Sequence, residues 1–150
     1  MLLLSPIGSD SEREEQEARM KNHKTILLVD DDPDDVLLMT TAITGIDPLI
    51  SILTFDNGSS LLRSLQQQDL AQVSMIILDM NMPIMNGVDT VAALRQHPDY
   101  VKTPAVMLST SADHSFIEEA FSAGIDCYFT KPNSFDELVD IVRKMLTRFL

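Results

Sequence analysis

Four short apolar runs in this 150-residue chain each stop at a residue able to do chemistry. Ile26-Leu27-Leu28-Val29 ends in Asp30-Asp31-Asp32, and Met75-Ile76-Ile77-Leu78 ends in Asp79. Ala105-Val106-Met107-Leu108 ends in Ser109-Thr110, and Cys127-Tyr128-Phe129-Thr130 ends in Lys131-Pro132. Short apolar runs closed by polar, Pro or Gly punctuation read as buried strands running into loops. Strands are expected near 25–29, 50–55, 74–79, 105–109 and 127–130, with helices near 34–45, 58–68, 87–96, 114–123 and 134–149. Five alternations of this kind predict an α/β domain, a parallel sheet with helices on both faces. Such sheets bind ligands outside the carboxyl ends of their strands. Acids, a hydroxyl and a lysine are therefore predicted at one edge. An acid placed like Asp79 is a metal ligand, a nucleophile, or both.

Local signals agree with these boundaries. Pro33 followed by Asp34-Asp35 suits a first helical turn, where proline loses no hydrogen bond and acids meet the positive end of the dipole. Gly124 is placed to stop the helix near 114–123, and Ser134 with Glu137 three residues on forms a capping-box pattern. In the last helix Phe135, Leu138, Val139, Val142, Met145, Leu146 and Phe149 recur at helical spacing and are expected to face the sheet. Ile141 and Leu150 widen that stripe. Arg143, Lys144 and Arg148 fall toward the helix's negative end.

Residues 1–23 read as a disordered leader and residues 24–150 as the folded domain, with Met1 and Met20 both available as starts. The leader's Glu12-Arg13-Glu14-Glu15-Gln16-Glu17 stretch could form a frayed helix but lacks an apolar face to dock. No apolar run approaches the roughly 18 residues that span a bilayer, and Met1-Leu2-Leu3-Leu4 is too short for a signal-peptide core. The single Cys127 can form no internal disulfide and suits a reducing cytoplasm. Net charge is −12, which repels nucleic acid phosphates with no basic stripe to offset it. His23, His97 and His114 lack the surroundings of a phosphotransfer histidine. Met80, Met82 and Met85 read as packing and a lid around Asp79.

The motifs Val29-Asp30-Asp31, Leu78-Asp79-Met80-Asn81-Met82-Pro83, Asn86-Gly87, Ser109-Thr110 and Lys131-Pro132 occur in this order, separated by helix-length segments. Together they resemble the receiver domain of bacterial response regulators, the CheY-like family, over roughly Lys24 to Leu150. The resemblance implies a flavodoxin-like (βα)5 fold with strand order 2-1-3-4-5. It implies that Asp79 is the phosphoacceptor, forming an acyl phosphate with a phosphoryl group drawn from a histidine kinase or phosphotransfer protein. Mg²⁺, or Mn²⁺ in its place, would be held by Asp31, Asp79 and the backbone carbonyl of Asn81, with Asp30 acting through water. Lys131 would set its ammonium beside the same oxygens, with a cis bond to Pro132. Ser109 would offer its hydroxyl to the attached phosphoryl group, and Tyr128 would turn inward when Ser109 moves. Asn81 and Thr110 would tune dephosphorylation, and Asp32 would be a solvated loop residue.

On this reading the chain is a single-domain response regulator. It acts on nothing but its own phosphorylation state and signals through protein contacts, with a homodimer available through the face formed by the 114–123 helix, the 127–130 strand and the 134–149 helix. The Pro33-Asp34-Asp35 turn, the Gln96–Thr103 loop and Leu108-Ser109-Thr110-Ser111 resemble the single-domain regulators associated with phytochrome-type and hybrid kinases. Two alternatives use the same residues differently. One is a Mg²⁺-dependent aspartyl-phosphate phosphatase of the haloacid-dehalogenase type, which needs a second acid two residues after the nucleophile, where this chain has Asn81. The other is a pseudo-receiver, an interaction module that is never phosphorylated.

Overall fold

In a computed structural model the protein is described over residues 9–21, 23–67 and 72–150. After a helix α1 (Asp10–Lys21), five strand-helix units follow: β1 (Thr25–Val29), α2 (Pro33–Ile46), β2 (Ser51–Phe55), α3 (Gly58–Gln67), β3 (Val73–Asp79), α4 (Gly87–Leu94), β4 (Ala105–Ser109), α5 (His114–Ala123), β5 (Cys127–Thr130) and α6 (Phe135–Phe149). The strands form one sheet in the order β2-β1-β3-β4-β5, and every pairing is parallel. This is the flavodoxin-like order expected from the motifs.

Strand side chains alternate between two cores because successive residues point to opposite faces of a sheet. Leu27, Val29, Ile76, Leu78 and Met107 pack with Leu61, Leu65, Val91, Leu94 and Ala120 of α3, α4 and α5. Ile26, Leu28, Ile77, Val106 and Leu108 pack with Met39, Ala42, Ile43, Leu138, Val142 and Met145 of α2 and α6. Central strands buried on both sides must be apolar at every position, which is why β1, β3 and β4 read as unbroken runs. Each fully buried Leu or Ile is worth about 1.5–3 kcal/mol.

Helix ends follow the local chemistry. Asp32, expected as a plain loop residue, is exposed and is the N-cap of α2: its carboxylate accepts from the Asp34 N–H at 2.9 Å. Asn86 caps α4 in the same way. The Ser134 hydroxyl accepts from the Glu137 N–H, while the Glu137 carboxylate accepts from the N–H of Asn133 rather than of Ser134. Gly124 ends α5 at φ 117°, a left-handed conformation that favours glycine.

One expectation about the flanks changes. Phe135 does not face the sheet but stands 42% exposed at the start of α6, one turn too early to reach the core reached by Leu138. Ile141 and Leu150, which widen the apolar stripe of α6, are partly buried against the α2–α6 core. In α1, none of the described residues belongs to either core, as its lack of an apolar face requires.

Candidate functional site

The register of the sheet assembles the site. Val29 pairs with Leu78 and Asp79 with Leu108, while Ser109 pairs with Thr130. Asp30, Asp79, Ser109 and Lys131 thus leave their strands at the same edge. Asp30 and Asp79 are each 8% exposed, Asp31 is exposed, and their carboxylate oxygens lie within 4.8 Å of one another. The Lys131 ammonium sits among acids, 2.8 Å from Asp35, 3.4 Å from Asp79 and 3.6 Å from Asp30. The Lys131 N–H donates to the Ser109 carbonyl at 2.8 Å, which fixes the base of that side chain. The Lys131–Pro132 bond is trans, since no cis peptide occurs among the described residues. This corrects the expectation of a cis bond. The trans isomer is the preferred state of an X–Pro bond, and with it the ammonium already reaches the carboxylates.

Burial dominates the electrostatics. It pushes the Asp30 carboxyl up to about 6, against the opposing pull of the Asp32 N–H and the Lys131 charge. Burial also raises the Asp79 carboxyl, again opposed by Lys131 and by the Asn81 N–H. The surrounding acids hold Lys131 protonated, raising its affinity for the proton despite partial burial. Carboxylates crowded in this way are relieved by protons or by a cation. Their hard oxygen donors match the ligand preference of Mg²⁺ or Mn²⁺.

The loop beyond Asp79 is held close. The Gly87 N–H donates to the Met80 carbonyl at 2.9 Å. A Cβ on Gly87 would collide with the Asp79 carbonyl oxygen, so any larger residue would push α4 away from the Asp79 backbone. Asn81 and Thr110 are exposed at the rim.

Ser109 is fully buried. Its hydroxyl donates to the Met80 sulfur at 3.7 Å and accepts from the Ser111 N–H at 3.2 Å. Tyr128 is half-buried against the α3–α5 core, and its hydroxyl donates to the Ser111 carbonyl at 2.7 Å. Ser111 therefore joins the hydroxyl and the aromatic ring singled out in the sequence. The sequence signalled neither that link nor Asp35, which looked like one more acid on a helical first turn. The partner that distinguishes Asp35 is Lys131, 96 positions away. His23 bonds the Ser51 hydroxyl, and His97 packs on Tyr100. His114 opens α5 next to its N-cap Asp113.

Among the described residues no helix is long and apolar enough to cross a membrane. Among curated proteins, the chain is 30% identical over 126 residues to the response regulator Rcp1 of Synechocystis, covering 80% of this chain and 84% of that protein. It is 29% identical to the transcriptional regulatory protein KdpE of Mycobacterium tuberculosis, of which the match spans 51%. Its structure superposes on that of the phosphorylated cyanobacterial phytochrome response regulator RcpA with a TM-score of 0.78 at 27% identity, covering 85% of this chain and 94% of the other. The Mn²⁺-bound form of Rcp1 gives a TM-score of 0.74 at 26% identity, covering 83% and 92%. The family model described as "Response regulator receiver domain" matches residues 26–143. With this fold and this strand-edge cluster, the chain belongs to the response regulator receiver family.

Proposed function

We propose that this protein is a single-domain response regulator, phosphorylated on Asp79 by a histidine kinase or phosphotransfer protein and signalling through protein contacts in the cytoplasm. The observation that carries this reading is the placement of Asp79. It is a nearly buried carboxylate, 3.4 Å from the Lys131 ammonium and grouped with Asp30 and Asp31.

In the reaction, an Asp79 carboxylate oxygen attacks the phosphorus of a phosphohistidine. The P–N bond breaks, the imidazole leaves and takes up a proton, and an acyl phosphate remains on Asp79. Lys131 supplies a compact positive charge beside the reacting oxygens. Asp31, Asp79 and the Asn81 carbonyl would hold Mg²⁺ or Mn²⁺, with Asp30 reaching it through water. The bound ion would neutralise charge on the phosphoryl oxygens. Hydrolysis of the acyl phosphate, with Asn81 and Thr110 at the rim governing water access, returns the protein to its starting state. The chain catalyses only these changes to itself.

Output requires a contact that differs between the two states. The Ser109 hydroxyl is that contact: to donate to a phosphoryl group on Asp79 it must give up its bond to the Met80 sulfur, and a shift of its oxygen is felt at the Ser111 N–H from which it accepts. The Ser111 carbonyl is bonded to Tyr128, so the disturbance passes to α5, β5 and α6. Phe116 and Phe121 on α5 are exposed and offer an apolar surface to a target protein or a second copy.

Incubation with Mg²⁺ and acetyl phosphate tests the reading. One base-labile phosphoryl group should be gained per chain by the wild type and none by Asp79→Asn, because an amide is a poor nucleophile. Equal labelling of the two proteins would remove Asp79 from the mechanism. Ser109→Ala should accept phosphate normally yet lose the phosphorylation-dependent change in self-association or target binding.

A further inference from the structure

The sheet face behind Asp79 is not filled. Between the N-terminal halves of α2 and α6 lies a cavity of about 170 Å³. Leu28, Ile77 and Leu108, from three neighbouring strands, line it, together with Met39 and Leu138 from the two helices. Leu38 and Phe135, 44% and 42% exposed, flank it on the solvent side. Protein interiors are ordinarily packed as densely as organic crystals. A dry apolar cavity of about 150 Å³ accepts a benzene-sized molecule, so this space is large enough for a ring or a branched alkyl group.

The chemistry at one end of the cavity is specific. Asp30, Asp35, Asp79 and Lys131 all line it. Three carboxylates face one ammonium there, and the ammonium lies closest to Asp35, at 2.8 Å. An anionic ligand would meet carboxylates, and a neutral one would leave their charge uncompensated. A cationic group is the complement, and Asp35, half-buried and outside the acidic trio, is the carboxylate placed to receive it in exchange for Lys131.

We propose that this cavity binds a small apolar cation, an aromatic or branched-alkyl body bearing one ammonium or amidinium group. The body fills the space between α2 and α6, and the head pairs with Asp35. Such a ligand competes with Lys131 for Asp35 and shifts the lysine relative to Asp79. It therefore controls phosphorylation from behind the sheet. This control rests on the function proposed for Asp79 and Lys131, whereas the binding itself does not.

Benzylamine is a suitable probe, titrated into the metal-free protein by calorimetry and followed by amide NMR shifts. Benzylamine should bind and shift the amides of Leu28, Met39 and Leu138. Benzyl alcohol should bind about tenfold more weakly, the value of one charge-assisted hydrogen bond, and benzoate should not bind. Asp35→Asn should bring benzylamine down to the level of benzyl alcohol. Leu138→Phe should fill the cavity and abolish both, with its fold checked by circular dichroism. Should that variant fail to fold, Leu38→Trp on the exposed flank obstructs access without disturbing the core. Methylamine binding as tightly as benzylamine would overturn the proposal, as would benzylamine binding that survives both cavity variants. In the acetyl phosphate assay, benzylamine should slow labelling of the wild type and not of the cavity-filled protein. A protein that binds benzylamine but never labels would keep the cavity and refute the phosphoacceptor reading, so the two failures are distinct.

Discussion

Lys131 and Arg95 are both cations that tie together elements far apart in the chain, and they do opposite things. Arg95, just after α4 and 15% exposed in its side chain, donates to the carbonyls of Gly124 at 2.9 Å, Tyr100 at 2.8 Å and Thr103 at 2.7 Å. Its remaining nitrogen meets Asp126 at 3.1 Å, and that carboxylate also accepts from the Ala105 N–H at 2.8 Å. A planar fork of donors is matched to fixed acceptors, and every group ends satisfied. Gly124 is part of the fit, since a Cβ there would lie 2.7 Å from the Arg95 side chain. Lys131 instead offers one point charge to Asp35, Asp79 and Asp30 at once. The acids outnumber it, and burial leaves Asp30 and Asp79 holding protons more tightly than usual. The arginine cluster stores stability, whereas the lysine cluster holds unmet negative charge, which protons or a cation relieve.

The comparison is most exposed at Arg95. Arg95→Ala strips donors from three backbone carbonyls and should lower stability by about 3 kcal/mol. Urea unfolding would show a reduced midpoint at constant slope, and a loss under about 0.5 kcal/mol would break the contrast.

At the lysine cluster the sign should reverse. The folded-state value of about 6 for Asp30 lies above the ordinary 3.8, so the folded protein binds the proton more tightly than the unfolded chain. The stabilisation is therefore complete below about pH 4 and is lost as pH rises through 6. Asp30→Asn should flatten that decline and raise metal-free stability at pH 7 by about 1–2 kcal/mol. Melting curves from pH 4 to 7 would decide, and a destabilised Asp30→Asn would mean its carboxylate is as well satisfied as Asp126.

Smaller effects sharpen the picture. Tyr128→Phe removes one hydrogen bond to the Ser111 carbonyl and should cost about 1 kcal/mol. Faster hydrogen exchange at the Ser111 amide would show that the loosening stays in the β4–α5 loop. Mg²⁺ at a concentration equal to its dissociation constant should stabilise the wild type by about 0.4 kcal/mol through mass action. Asp31→Ala should lose that response, while Arg95→Ala should keep it in full.

Much of the fold was legible because its causes are local. β1, β4 and β5 begin and end where strands were expected from their apolar runs, and α2, α4 and α6 start at residues whose side chains cap them. Asp30, Asp79, Ser109 and Lys131 could be placed at one edge because each follows a strand of a parallel sheet. Other features depend on distances no periodicity encodes. The acids of α2's first turn look alike in sequence, yet only packing of the helix brings Asp35 to Lys131. Arg95 reads as a surface residue at a helix end until the Gln96–Thr103 loop and the α5–β5 turn fold over it. Phe135 fits the apolar stripe of α6, but its turn precedes the point where the helix meets the sheet. Sequence alone determined which residues are buried in strands and which functional groups leave them, since burial and capping act between near neighbours. Tertiary structure decided which charges meet, and whether they meet satisfied or in excess, because Coulomb and hydrogen-bond energies depend on separations set by the whole packed fold.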